Sequence, residues 1–350
     1  MELSPLQSGI HNLLFNCAEL NSGDRLLVVS EDPALGWYDP LVSEKLVIEA
    51  RKFGVETKLL RVNGPDEELG EDALKYINDA TCVIFLARIG DQNRFEPREN
   101  NKKVVMSYAR TVGTLASSFG TIPYPAVVEM KKAIERIFAR AELIHIKCPN
   151  GTNLIGESGE LNKKAKTDVS MLRFPMVVPM PISARNFSGR VRLIDYLTST
   201  GSRYYEPASV FLEEPIFVYI ESGKINRFEG NSKVISRVES HYSKISKLFQ
   251  IDKDIVHSWH AGIHPGITYD KPIIENPDRW SNTMFASPRY LHFHTCGDYA
   301  PGEICWMVRD PSILIDDKPL WLKGEICARK FPETSECLSN WPQLSSVYGG

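Results

Sequence analysis

The chain has 350 residues, 43% of them hydrophobic and 24% charged, with a formal net charge of −3. That is enough apolar material for a large core divided between two domains, and the near-neutral balance excludes the basic footprint of a nucleic-acid binder. No run approaches the ~20 apolar residues of a membrane helix, the start MELSPLQSGIHNLLFNC lacks the pattern of a secretory signal, and seven scattered cysteines without a CxxC pair point to a reducing, cytoplasmic setting.

In the first half, strand and helix signals alternate. RLLVVS (25–30) is the short apolar run of a buried strand, and DPLVSEKLVIEARKFG (39–54) has helical periodicity ending on Gly54, a good C-cap. VETKLLRV (55–62) predicts the next strand, EDALKYINDA (71–80) a helix, and TCVIFLA (81–87) a third strand. YPAVVEMKKAIERIFARA (124–141) predicts an amphipathic helix and ELIHIKC (142–148) the strand after it. This alternation predicts an α/β fold whose N-terminal domain, 1–160, is a doubly wound parallel sheet. The glycine signatures of nucleotide-phosphate loops do not occur, so no nucleotide-cofactor residues are assigned.

The polar stretch 151–174, with GESGELNKKAK inside it, marks the expected domain change. Beyond it GRVRLID (189–195), EEPIFVYIESGKINRFEG (213–230), RYLHFHTCG (289–297), ICWMVRD (304–310) and SILIDDKPLWLKGEI (312–326) are β-like. Hairpin turns are expected at Ser222-Gly223 and at Asp316-Asp317-Lys318. A single helix, NSKVISRVESHYSKISKLF (231–249), interrupts them. The C-terminal domain, 161–350, is therefore expected to be a β-rich α+β domain.

Five of the eight histidines fall in two short segments, DIVHSWHAGIHPGITY (254–269) and YLHFHTCGDYAPGEICW (290–306). His292 and His294 are two apart in a strand-like run, so their side chains point the same way and make half of a metal site. The plainer alternative is one core histidine and one facing solvent. Around His257, His260 and His264, the residues Gly262 and Pro265-Gly266 disfavour a helix, and the segment reads as a glycine-containing loop at a sheet end. One or two of these three are expected as ligands, the others as supporting or acid–base groups. Asp298 and Glu303 are the nearby carboxylates, with Cys296 and Cys305 as soft alternatives. Two histidines and a carboxylate suit non-haem iron(II) oxygenases and zinc hydrolases alike, so the residues imply a metal and leave the ion open.

Several segments, in order, resemble the aminopeptidase T-like metallopeptidase family, and within it the 2,5-dihydroxypyridine 5,6-dioxygenase offshoot. LLVVSEDPALGWYDPLVSEKLVIEARKFGVETKLLRV resembles the first strand–helix–strand unit, and CPNGTNL (148–154) the Gly-Thr-Asx-Leu stretch. RFPMVVPMPISARNFSGRVRLID takes the place of the proline stretch leading into a hairpin; FVYIESGKINRFEG and ILIDDKPLWLKGEI are similar to two further hairpins. Departures are informative. FPMVVPMPIS lacks the carboxylate that the peptidases carry there, as the dioxygenases do. HSWHAGIHPG offers His260 or His257 at the next ligand position, His292 resembles the histidine of the following strand, and the final H-x-D is replaced by Glu303-Ile304-Cys305. His294 is available to restore the lost ligand.

The resemblance implies a mononuclear metal enzyme whose partners are a small-molecule substrate and dioxygen; with no nucleic-acid or membrane partner expected from the composition, the chain is expected to be a cytoplasmic homo-oligomer. Its implied ligands are His260, His292, His294 and Glu303, with His257 and His264 as proton donors or substrate anchors. Tyr269, Trp259 and Trp280 are candidates for the apolar wall of a ring pocket. The implied ion is Fe(II), with Zn(II) or another divalent metal as the alternative, and the implied reaction is oxygen-dependent cleavage or oxidation of a small hydroxylated aromatic or N-heterocyclic ring. Two other readings stand beside it: a zinc-type amidase or aminopeptidase with Glu303 as general base, and a non-enzymatic small-molecule binder, to which the lost H-x-D points.

Overall fold

Arg25–Glu31 is a strand in which every residue after the first is buried, because it lies inside a sheet with a parallel neighbour on each side. The computed structural model describes residues 3–91, 102–157, 171–199, 205–269, 271–298 and 301–348. The sheet runs in the order Glu56–Val62, Arg25–Glu31, Cys82–Leu86, Lys103–Ser107, Leu172–Phe174, and every pairing in it is parallel. The helices Pro40–Lys52 and Glu71–Asp79 make the first two crossovers. Asp39 caps the first of them, its carboxylate accepting from the Leu41 amide at 2.9 Å, and Pro40 occupies the first turn, where no N–H is needed. The fold is α/β, with antiparallel sheets in its second part, as the element pattern implied.

One strand sits elsewhere than the alternation suggested. Leu143–Lys147 pairs antiparallel with Asn153–Glu157 and with Ser312–Ile315, away from the parallel sheet. The physical reason is its pattern: only Ile144 and Ile146 are buried, the period-two alternation of a strand with one wet face. The parallel sheet fills its fourth place with Lys103–Ser107 instead, a run with four of its five residues buried.

Among the described residues two compact units are distinguished. One runs to Val128 and includes 171–177 and 266–268; the other comprises the rest. Residues 158–170 of the polar stretch lie outside the described residues.

The second unit contains two antiparallel sheets. The larger has eight strands in the order Lys224–Glu229, Ile216–Glu221, Phe187–Leu193, Asn153–Glu157, Leu143–Lys147, Ser312–Ile315, Lys318–Leu322, Glu325–Ile326. The smaller has six: Val210–Phe211, Tyr196–Thr198, Glu303–Arg309, Tyr290–Cys296, Val256–Ala261, Ile182–Ser183. Both expected hairpins form on two-residue turns with positive φ at each position, 48° and 72° at Ser222-Gly223 and 49° and 65° at Asp316-Asp317. Trp259 of the smaller sheet meets Phe187 of the larger and Phe138 of the helix Tyr124–Arg140, ring centroids 5.7 Å apart in both pairs. Phe138 in turn stacks on Trp321 at 5.9 Å. Each of these rings is almost wholly buried, so this aromatic cluster is the apolar core between the sheets.

The helix Ser232–Phe249 is capped by Asn231, whose side chain accepts from the Lys233 amide at 3.0 Å, and stopped by Gln250 in the left-handed conformation. No helix among the described residues is long and apolar enough to cross a membrane.

Candidate metal centre

The two histidine segments become neighbours by strand pairing. Val256–Ala261 is a strand rather than the loop that its glycine and proline suggested. Those two residues act only after Ala261: a Cβ on Gly262 would lie 2.2 Å from the Ala286 carbonyl carbon, so glycine is required where the chain leaves the sheet. Before that point Val256 and Trp259 are good strand formers. The register sets His260 opposite His292, Ser258 opposite His294, His294 opposite Cys305, and Cys296 opposite Glu303. Because directly opposed residues and those two apart share a face, His260, His292, His294, Glu303 and Cys305 all project from one side of the sheet. All five are buried: 7%, 1%, 8%, 3% and 1% exposed respectively.

The rings converge. Centroids of His260 and His292 are 3.8 Å apart, and each is 5.0 Å from His294. His260 Nδ1–H donates to the Pro179 carbonyl at 3.2 Å, and His294 Nδ1–H donates to Glu303 Oε1. A neutral imidazole has one N–H and one lone pair, so both rings are left with the lone pair on Nε2. Those two Nε2 atoms face one another at 3.0 Å. Two lone pairs so placed repel unless a shared proton or a metal cation stands between or beside them. Nitrogens bound at ~2.05 Å to a tetrahedral ion are roughly 3.3 Å apart, close to the observed separation. Donor atoms of His260, His292 and His294 all lie within 4.8 Å of one another, and the same holds for His294, Glu303 and Cys305. The buried group fits a divalent metal.

The face is covered by protein. Ser281 of the helix Pro277–Met284 shares a 2.9 Å hydrogen bond with Thr198, and Phe285, just beyond that helix, stands edge-on to His292 at 5.2 Å. Phe285 and the Pro179 carbonyl were not foreseen from sequence. An apolar residue in NTMFASP reads as ordinary core, and a backbone carbonyl leaves no residue-type signal.

The other residues singled out lie as follows. His257 is half-buried, and its Nε2–H donates to the Cys296 carbonyl at 2.9 Å. It belongs to neither group of converging donors. His264 is fully buried, and burial pushes its imidazole down to about 3. Tyr269 is half-buried with the Arg279 guanidinium 5.9 Å from its ring centre. Trp280 is buried edge-on to Tyr290 at 5.5 Å. Trp259 points away from the histidines into the aromatic core, so it does not line their side of the sheet. Asp298 is in neither donor group, and burial raises the Cys296 thiol to about 11.

No protein-family model matches the chain, and no curated protein matches it in sequence. Solved structures do. Over 95% of this chain and 100% of the other, the fold matches that of a 2,5-dihydroxypyridine dioxygenase from Pseudomonas putida, with a TM-score of 0.60 and 12% identity. Over 92% of this chain and 99% of the other, it matches wild-type AmpT from Thermus thermophilus, with a TM-score of 0.52 and 12% identity. The chain thus has the fold of the aminopeptidase T-like proteins and of their dioxygenase offshoot, as the motif resemblance implied.

Proposed function

We propose that the protein is a mononuclear iron(II) enzyme that uses dioxygen to cleave or oxidise a small hydroxylated aromatic or N-heterocyclic ring. The observation that carries this reading is the convergence of His260 Nε2 and His294 Nε2 beside His292, with both Nδ1 atoms anchored elsewhere. His260, His292 and His294 would hold the ion. Bound iron(II) would supply a Lewis-acidic, redox-active centre able to take up substrate oxygen and dioxygen. Full-length likeness to the fold of a dioxygenase supports the oxygen-dependent choice.

The chain's own residues would do the rest. Burial of the histidine face excludes bulk water, and Phe285 restricts the His292 ring from its edge. Of the two histidines proposed for proton transfer, His264 is a poor base: an imidazole held near 3 rarely takes a proton at neutral pH. It is assigned instead as a neutral hydrogen-bonding group, and His257 as the group that moves a proton. Tyr269 is assigned to the wall against which the ring is placed.

A zinc hydrolase is the second reading, favoured by one observation. The three imidazole donors His260, His292 and His294 are a set that catalytic zinc also takes. The test is metal analysis of protein purified without oxygen or chelator, followed by oxygen-uptake measurements with dihydroxylated pyridines and benzenes. Iron close to stoichiometric, with oxygen consumed as the ring absorbance disappears, is the expected result. Retained zinc with oxygen-independent hydrolysis would replace it by the second reading, and a protein that neither carries nor takes up metal would end both.

A further inference from the structure

Resting on the reading of His260, His292 and His294 as the metal's ligands, we propose that Glu303 is a positioning residue: its carboxylate selects the nitrogen that His294 offers to the metal, and Cys305 holds that carboxylate in place. The two nitrogens of an imidazole point away from one another. An oxygen that accepts the Nδ1 proton of His294 therefore sits behind the ring, on the side opposite an ion held by Nε2. Glu303 cannot serve both places with that oxygen. Its position agrees with the register, since Cys305 is directly opposite His294 and Glu303 is the diagonal neighbour on the same face.

Glu303 is held twice, once at its carboxylate and once at its backbone. The Cys305 thiol donates to the same Oε1 at 3.5 Å, and the Tyr205 hydroxyl donates to the main-chain carbonyl of Glu303. A carboxylate that is only 3% exposed needs a nearby positive charge or strong donors. A cation bound through His294 would provide the charge one ring away. Three neutral imidazoles supply none of their own, so Glu303 would supply the counter-charge that they lack. His260 is oriented by the same means with a neutral acceptor, the Pro179 carbonyl. Of the two anchored rings, only His294 has a side-chain carboxylate as its acceptor.

The test uses full-length protein freed of metal and titrated with Co(II), read by its visible absorption spectrum and by binding affinity. Wild-type protein should bind about one Co(II) per chain. Glu303→Gln, whose amide oxygen still accepts from Nδ1–H, should keep that stoichiometry and the wild-type absorption intensity, with affinity weakened no more than ~10-fold. Glu303→Ala should weaken it ~10–100-fold, the range for lost support behind a metal-bound histidine. Cys305→Ala, which leaves the carboxylate, should weaken it less than Glu303→Ala does. A change in band intensity in Glu303→Gln, signalling a changed coordination number, would overturn the proposal by making Glu303 a ligand. Wild-type affinity in Glu303→Ala would overturn it by removing any role. Wild-type protein that binds no Co(II) would instead overturn the ligand reading beneath it. If Glu303→Ala does not fold, the Glu303→Gln spectrum and the Cys305→Ala affinity still decide.

Discussion

At the scale of single residues, the chemistry of the site depends on which nitrogen of each histidine is engaged. His292 has its ring 3.8 Å from that of His260 and is 1% exposed, so it sits beside His260 away from bulk solvent. His292→Ala is expected to lower metal affinity by more than ~10²-fold, beyond the effect of removing a group that only supports a ligand. His11→Ala and His145→Ala should leave metal content unchanged, since His11 packs on Phe15 and Phe53, and His145 shares a 2.6 Å hydrogen bond with Asn153 on the larger sheet. Equilibrium dialysis with atomic absorption on the four proteins checks this. A second residue-level outcome concerns acid. Burial lowers His264 to about 3 and His241 to about 4, from 6.5. Below 6.5 the unfolded chain takes up protons that these folded imidazoles refuse, so the stability present above 6.5 is lost as pH falls toward 4. Each contributes a slope of about 1.4 kcal/mol per pH unit in that window. His241→Gln should therefore flatten the pH dependence of the urea midpoint of metal-free protein between about pH 6 and 4.5.

At the scale of elements, the histidine-bearing strands are held from behind. Trp306 Nε1–H donates to the Tyr242 hydroxyl at 2.7 Å, Tyr242 donates to Thr295 Oγ1 at 2.5 Å, and Thr295 donates to the Ile304 carbonyl at 2.8 Å. Each group in this chain has a partner, and it ties the helix Ser232–Phe249 to the two strands whose other face carries His292, His294 and Glu303. Tyr242→Phe would leave the Trp306 N–H buried without that acceptor, and a loss of about 1–3 kcal/mol in unfolding free energy is expected. Chemical denaturation of metal-free protein measures it. A loss below ~0.5 kcal/mol would mean that the relay is incidental to stability.

At the scale of the whole molecule, the proposed ligands come from two strands and Glu303 from a third, and these meet only in the folded state, so metal binding would be linked to folding. A ligand at 100 times its dissociation constant stabilises the form that binds it by about 2.7 kcal/mol. Metal loading should accordingly raise the melting temperature, and chelation should reverse it. Hydrogen exchange should localise the gain to Val256–Ala261, Tyr290–Cys296 and Glu303–Arg309. Equal protection of these strands with and without metal would contradict the linkage.

Sequence alone determined the elements whose periodicity is local: the buried run at Leu26–Val29, the helix Ser232–Phe249, and the two hairpins at Ser222-Gly223 and Asp316-Asp317. It also determined that His292 and His294 share a face, because strand periodicity is exactly two. Tertiary structure decided the rest, for one physical reason: register between strands distant in the chain is set by packing that no local pattern encodes. Register placed His260 opposite His292, and turned Glu303 toward the back of His294 rather than toward the other imidazoles. It also sent Leu143–Lys147 to an antiparallel neighbour, although its alternating burial was already written in LIHIK. Which histidines belong to the site was nearly legible in the residues; which atom of each faces inward depended on a proline carbonyl and a carboxylate brought there by the fold.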